Sequence, residues 1–482
     1  MDYAKLGLKA GLEIHQQLDS GKLFSRTPSL LRSEEPDYVI RRKLHRVAGE
    51  SGEVDVAVEH EASLDKEFIY QGYNDTISLV ELDEEPPQEI DSDALNEAIK
   101  ITLLLNCEIY PIAQIMRKTV IDGSNTSGFQ RSVLIGHSGE IETSFGKVGI
   151  ETIALEEDAA RIIKRGEKEV IFRLDRLGIP LVEITTKPVL KSAEQIKECA
   201  LKIGEILRAC KVKRGIGTIR QDLNISIKGH KRVEIKGFQE PRIMVKVVEL
   251  EVERQLKDIE EKKEDGEVRN ALASGETEFL RPLPGKARMY PETDLPLLRI
   301  SRERVNVLKK ELPKLKGEIR DELKKKGLSE ELLNLILAGG ELEEFEVLLR
   351  VYSKDANLIA KMVTLWRSEF ASKSKKSFEE VKEILNENVL EKVLMKVKSG
   401  ELDKGDVKAV LMDIFEGKEI EEALRVEKKG DDEIEGEIRK IIKEKPGLRA
   451  NAYMGLVMQK FKGKIDAKKA MEIIRRILGD EA

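Results

Sequence analysis

Residues 217–240 read GTIRQDLNISIKGHKRVEIKGFQE, and their alternation sets the class of the fold. Leu223, Ile225 and Ile227 alternate with Asp222, Asn224 and Ser226; beyond Gly229 and His230, Val233 and Ile235 alternate with Arg232, Glu234 and Lys236. A period of two on both sides of a glycine turn specifies a β-hairpin. A two-residue turn at Gly229-His230 would set Ile227 against Arg232, apolar beside polar. A three-residue loop through Lys231 sets Ile227 against Val233 and Ser226 against Glu234. One step of register exchanges the faces, so the longer loop is expected. Its polar face then carries Asp222, Asn224, Glu234 and Lys236 together.

Upstream of the hairpin, Ser192 is an N-cap with Gln195 three residues on, and apolar positions 196, 199, 200, 203, 206 and 207 follow on one helical face. Short alternating segments and Gly-rich turns continue to about residue 298. After Arg299 the chain turns Lys/Glu-rich, with apolar residues at helical spacing: Leu308, Leu312 and Leu315, then Leu332, Leu333, Leu335 and Ile336. The fold class is therefore α+β, a mixed α/β body followed by an all-helical carboxy-terminal half. Within that half the charged stretch from Glu427 to Gly436 reads as a solvated linker that sets off a small terminal helical module.

A chain of 482 residues exceeds one hydrophobic core, so two or three domains are expected. Its net charge is −6, although 36% of its residues are charged, so a nucleic-acid partner must be met by local basic patches. Such a patch lies at the end. Residues 441–482 hold ten Lys or Arg against five Asp or Glu. The last helix, from about Ala467, places Ala470, Met471, Ile474, Ile477 and Leu478 on one face and leaves Lys468, Lys469, Arg475 and Arg476 for phosphate-backbone contacts or plain solvation. The amino terminus lacks the zones of a signal peptide, and no apolar run approaches the ~20 residues of a spanning helix, which points to a cytoplasmic protein. Cys107, Cys199 and Cys210 form no CxxC pair, against a disulfide framework or a cysteine zinc site. Abundant Lys, Glu and Ile with sparse Gln lean toward a heat-adapted source.

Several short segments carry groups suited to chemistry. In GLEIHQQL, residues 11–18, a strand would put Glu13 and His15 on one face, as would any half-buried strand with a solvated side. LEEDAARI offers Glu156, Glu157 and Asp158 in a row, and PLVEIT sets Glu183 and Thr185 against Val182 and Ile184. One histidine among several carboxylates suits a hard divalent ion, most naturally magnesium; the imidazole also admits manganese or zinc. GSNTSGFQ spaces Gly123 and Gly128 as a P-loop does, yet Phe129 and Gln130 stand where Lys and Ser or Thr are required. It reads as a surface turn or a ligand cradle. RPLPGKARMYPETDLP, residues 281–296, reads as a rigid strap or an anion-binding edge bearing Arg281, Lys286 and Arg288.

GLEIHQQL, YNDTISLVELDEEPP, RKTVIDGSNTSGFQR, LEEDAARI, LDRLGIPLVEI, IRQDLNISIKG, VEIKGFQE and RPLPGKARMYPETD follow one another in this order, and NAYMGLVMQKFKGK follows in the tail. Together they resemble the GatB/GatE family of Glu-tRNA(Gln) amidotransferase subunits, and within it the archaeal GatE branch. The resemblance implies a cradle domain with kinase and transamidase chemistry over residues 1–298, a helical domain over 299–411, and a YqeY-like, tRNA-binding tail over 412–482. It implies a ligase that uses ATP and Mg2+ to phosphorylate the glutamyl side chain of misacylated Glu-tRNA(Gln). Ammonia from an asparaginase-like, GatD-like glutaminase partner would then displace the phosphate.

By motif, His15, Glu157 and Glu183 match the family's metal positions and Glu13 a neighbouring essential carboxylate. Lys118, Asp222, Glu234, Lys236 and Arg288 match the ATP and phosphate pocket, with Arg214 as a further counter-charge. The family's insertion domain, similar to one in aspartyl-tRNA synthetases, has no room in IEEKKEDGEVRNALASGETEFLRPLPG. Ser25 and Arg26 stand where cysteines are often found, so no structural zinc is expected. The alternatives are the bacterial-type GatB, whose partner is an amidase, and a noncatalytic tRNA-binding adaptor.

Overall fold

The computed structural model describes residues 1–44, 65–238, 240–263, 265–283, 289–424, 431–461 and 467–479. Two compact units divide the chain, Met1–Leu315 and Lys316–Ala482. The first is built on a sheet of eleven strands among the described residues. Its order runs Thr277–Pro282, Glu267–Ala271, Val233–Lys236, Ile219–Ser226, Lys9–Gln17, Pro180–Thr186, Gly146–Glu157, Phe129–Thr143, Met116–Thr119 and Met289–Pro291, with Glu108–Ile109 beside Phe129–Thr143.

Alternation gives the central strands one apolar face. Leu12, Ile14, Val182, Ile184, Leu223 and Ile225 are buried there with Ala98 and Ile99 of helix Ser92–Leu104 and with helix Ala193–Ala209. In the latter helix Ser192 Oγ accepts from Gln195 N at 3.2 Å, and Gln195 Oε1 reaches back to Lys191 N at 2.9 Å. Ile196, Cys199, Ala200, Ile203, Ile206 and Leu207 are all buried. Each large aliphatic of that stripe contributes about 2 kcal/mol by leaving water. The three cysteines are free, and burial pushes each thiol up to about 12.

The hairpin keeps the expected faces and shifts its register by two residues: Ile225, not Ile227, lies opposite Val233, and Asn224 lies opposite Glu234. Ile227 leaves the ladder and enters the core, where its N–H donates to Gln255 Oε1 of helix Met244–Glu261 at 3.1 Å. The turn is correspondingly longer and tucks His230 inside, with its ring beside Lys231 O and Asp258. The short passage before RPLPG folds as the edge hairpin Glu267–Ala271 and Thr277–Pro282.

A second sheet, Tyr38–Arg42, Glu67–Gly72, Glu169–Arg173 and Arg161–Arg165, has its own core of Phe68, Tyr70 and Phe172. GSNTSGFQ packs against it. Tyr70 Oη donates to Gly123 O at 2.8 Å, and a Cβ on Gly123, at φ +87°, would lie 2.2 Å from the Phe68 ring. That glycine answers a steric need of the turn rather than of a phosphate.

The two units divide between Leu315 and Lys316. Helix Arg302–Lys310 belongs to the first unit, since Leu308 joins its core and Arg304 Nε donates to Asn96 Oδ1 at 2.7 Å. Residue 412 lies inside helix Val407–Phe415, whose Val410, Leu411 and Ile414 share a core with Phe345, Leu390 and Ala423. A separate small core, with Ile438, Tyr453, Val457 and Ile474, holds the tail. Of the expected linker, residues 427–430 lie outside the described residues, and helix Asp431–Glu444 begins within its remainder.

Candidate active site

Strand Lys9–Gln17 runs antiparallel between Pro180–Thr186 and Ile219–Ser226, and the register decides which polar groups meet. His15 lies opposite Glu183 on one side and Arg220 on the other; Glu13 lies opposite Thr185 and Asp222. One strand further, Leu181 faces Glu156. Because successive side chains alternate, the face opposite the core gathers Glu13, His15, Glu156, Glu183 and Asp222.

His15 Nε2 stands 3.2 Å from Glu183 Oε2, 3.6 Å from Glu13 Oε1 and 3.6 Å from Glu156 Oε1. Candidate ligand atoms of Glu13, His15 and Glu183 all lie within 4.8 Å of one another. Cations ring this group. Lys118 Nζ is 3.0 Å from Glu156 Oε2 and 3.7 Å from Glu183 Oε2, and Lys236 Nζ is 2.9 Å from both Asp222 and Glu234. These residues, with Arg220 and Arg281, line a cavity of about 400 Å³.

The electrostatics are those of acids crowded together. Burial and the neighbouring Glu183 push the Glu13 carboxyl up to about 7, against the pull of His15. Burial opposes a charged His15, yet its hydrogen bond to Glu183 and the charges of Glu183, Glu156 and Glu13 push the imidazole up to about 9. Glu183, although buried, is held below the usual carboxylate range by Lys118 and His15. Lys236 is raised by Asp222 and Glu234 against the cost of its burial. At neutral pH the imidazolium is thus the cation at the centre of the cluster. A divalent ion fits the same place, since one imidazole nitrogen and two carboxylates converge with a third carboxylate adjacent.

The row LEEDAARI sends its three acids three ways. Glu156 enters the cavity beside Lys118 and His15. Glu157, expected among the metal ligands, points to the core face instead. Its Oε2 accepts from Arg131 N at 3.1 Å, and the Arg131 guanidinium lies 3.4 Å from Oε1. Neighbours on a strand cannot share a face, so Glu156 occupies the place expected for Glu157. Asp158 is buried between Arg220 Nη2 at 2.7 Å and Gln17 Nε2 at 2.6 Å.

Lys118, Asp222, Glu234 and Lys236 line the cavity, while Arg288 lies outside the described residues. Arg214 is exposed on a loop and donates to Arg208 O at 2.9 Å. In the tail, Arg475 and Arg476 are exposed and Arg476 pairs with Glu435; the side chains of Lys468 and Lys469 lie outside the description. Sequence reasoning did not single out Arg220, and named Asp158 only as one of a row of acids and Arg281 only as part of an anion-binding edge. For Arg220 a signal existed, since it shares the alternation of Asp222.

A model of the GatB/GatE catalytic domain matches residues 8–306. The GatE subunit of glutamyl-tRNA(Gln) amidotransferase from Methanocaldococcus jannaschii is 35% identical over 99% of this chain and 99% of its own length. The protein of that name in Methanococcus maripaludis is 33% identical, with 97% of each chain covered. That of Thermococcus gammatolerans is 48% identical over 67% of this chain and 51% of its own. The first alignment runs over 629 positions against the 482 residues here, so that relative carries sequence with no counterpart in this chain. With the catalytic-domain match spanning every strand of the cavity and relatives of one name aligned along nearly the whole length, the chain belongs to the GatB/GatE family.

Proposed function

We propose that this chain is the tRNA-binding, phosphoryl-transferring subunit of a Glu-tRNA(Gln) amidotransferase. The glutamyl carboxylate of misacylated Glu-tRNA(Gln) takes the terminal phosphoryl group of ATP, and ammonia then displaces phosphate to leave the amide of Gln-tRNA(Gln). The observation that carries this reading is the convergence of Glu13, His15 and Glu183 on a cavity also lined by Lys118, Arg220, Lys236 and Arg281. Two anions must approach each other there, and fixed cations offset the charge that gathers as they do. A noncatalytic adaptor has no use for such a cluster.

Glu13, His15 and Glu183, with Glu156 beside them, would hold a divalent ion, and magnesium there supplies charge neutralisation at the transferring phosphoryl group. Lys118 and Lys236 orient the phosphates, while Asp158 holds the Arg220 guanidinium at the cavity wall. Among the described residues the cavity lining holds neither serine nor cysteine to serve as an amide-hydrolysing nucleophile. An asparaginase-like, GatD-like glutaminase partner would supply the ammonia. No described helix is long and apolar enough to cross a membrane, in keeping with work on tRNA in the cytoplasm.

The test is ATP hydrolysis by the subunit pair with and without Glu-tRNA(Gln), comparing wild type with Glu183→Ala. Hydrolysis stimulated by the charged tRNA and lost in the variant is expected. Turnover indifferent to the charged tRNA, or to Glu183, removes the reading.

A further inference from the structure

The loop from Lys211 to Thr218 joins helix Ala193–Ala209 to strand Ile219–Ser226, and nothing in the cavity chemistry accounts for its tip. Its ends are fixed to the strand that carries His15. Gln16 Nε2 donates to Lys213 O at 3.0 Å and to Thr218 O at 3.2 Å, and Gln17 N donates to Thr218 O at 2.9 Å. Arg220 of the cavity wall follows directly. The loop is therefore tied to the strand that carries His15 and leads into the strand that carries Arg220.

Between those ends the chain turns outward. Gly215 and Gly217 have φ of +115° and +84°, a conformation that favours glycine, and nothing lies within 4 Å of where their Cβ atoms would be. Ile216, held between them, has a relative exposure of 106%, the largest of any large apolar side chain described. Cations lie close to it in the chain. Among the described residues Arg208, Lys211 and Arg214 have no carboxylate partner, although Lys211 N donates to Glu97 and Arg214 to Arg208 O. An exposed apolar tip, flanked in the chain by cations without a carboxylate partner, suits a strand offering both base faces and phosphates. The cavity adds a geometric demand: an aminoacyl group esterified to the end of an RNA reaches an enclosed site only on a single-stranded end, which is narrow and can be splayed.

We infer that Ile216 and its two glycines form a finger that seats the single-stranded 3′ end of the charged RNA, with Arg208, Lys211 and Arg214 on its phosphates, so that the aminoacyl group passes Arg220 into the cavity. This rests on the tRNA-dependent function proposed above. It assigns the finger a positioning role, since Ile216 touches no reacting atom.

The experiment compares the subunit pair carrying Ile216→Ser, Ile216→Leu or the double change Lys211→Ala, Arg214→Ala with wild type. Probes are uncharged tRNA with its 3′ end intact, the same tRNA trimmed of its unpaired 3′ nucleotides, and Glu-tRNA for turnover. Wild type is expected to favour intact over trimmed tRNA by about tenfold, and Ile216→Ser to abolish that preference while Ile216→Leu keeps it. KM for Glu-tRNA should rise about tenfold in Ile216→Ser with kcat nearly unchanged, and the double change should lower the salt slope of intact-tRNA binding by about two. Because Ile216 is fully exposed, an unchanged melting temperature is part of the expectation. The inference falls if Ile216→Ser keeps the preference, if it weakens intact and trimmed tRNA alike, or if it releases the partner subunit, which would make the loop a protein contact. Absence of ATP hydrolysis dependent on charged tRNA in wild type overturns the parent function, while the intact-against-trimmed comparison still decides the finger.

Discussion

Glu156 and Glu157 are adjacent in the chain and lie on opposite faces of the central sheet, and the two faces treat buried charge in opposite ways. On the cavity side, Glu13, Glu156 and Glu183 crowd around His15, with Asp222 lining the same open volume. On the core side, Glu157 meets Arg131, Arg131 Nε bonds Glu292 Oε2 at 2.8 Å, and Arg117 grips Glu292 through Nε at 2.9 Å and Nη2 at 2.5 Å. There Glu157 and Glu292 share the Arg131 guanidinium, and Arg117 completes the pairing. Like charges around a void want an added cation, whereas complementary charges without a void are scaffold. The first arrangement raises Glu13 to about 7 and His15 to about 9, and so marks itself as a site.

The sharpest way to break this contrast is to remove one acid from each face. Glu183→Ala should lower charged-tRNA-stimulated ATP hydrolysis at least about a hundredfold; it also takes a carboxylate partner from His15 and Lys118, so some loss of stability is expected beside the loss of turnover. Glu157→Ala should do the reverse. It strands Arg131, which is nearly fully buried, with Glu292 as its remaining carboxylate, and should cost about 3 kcal/mol of stability while folded protein keeps its turnover. Chemical denaturation and initial rates on the same preparations decide it. Loss of turnover in folded Glu157→Ala protein would restore Glu157 to the metal set and collapse the distinction between the faces.

Titration probes the cavity side alone. His15 keeps its proton up to about pH 9 in the metal-free chain, and a metal ligand must be the neutral imidazole. Divalent-ion affinity should therefore rise with pH, by about tenfold per unit between neutrality and pH 9, and flatten above it. Calorimetry with manganese in buffers of different ionisation enthalpy would show the released proton. Affinity independent of pH across that window would mean that His15 is not a ligand.

How far the sequence disclosed these faces follows from the range of the interactions involved. The polar face of the hairpin was legible because alternation is local: Asp222, Glu234 and Lys236 reach the cavity whatever the exact register. The register itself was not, because the fate of Ile227 depends on Gln255 in a later helix. Alternation likewise says that Glu156 and Glu157 part company without saying which one turns inward; pairing of Glu156 with Leu181 of another strand decides that. In the helical half the amphipathic spacing was plain, yet Leu308 reads the same whether it enters the first core or the second, and only its packing into the first tells the two apart.

The basic tail is a third use of charge, neither crowded nor buried, and it should yield the smallest effects. A phosphate-contacting arginine on an exposed helix adds affinity without reading sequence, so its loss lowers the salt slope by about one unit and weakens all tRNAs alike. Arg475 and Arg476 offer an internal control. Arg476 already pairs with Glu435, whereas Arg475 has no carboxylate partner among the described residues. Arg475→Ala should therefore reduce both affinity and slope more than Arg476→Ala, and Glu435→Gln should strengthen binding by freeing Arg476. Binding measured across a series of salt concentrations gives the three slopes. Should all three variants match wild type, the tail's positive charge is solvated surface, and RNA recognition belongs to the body and its finger.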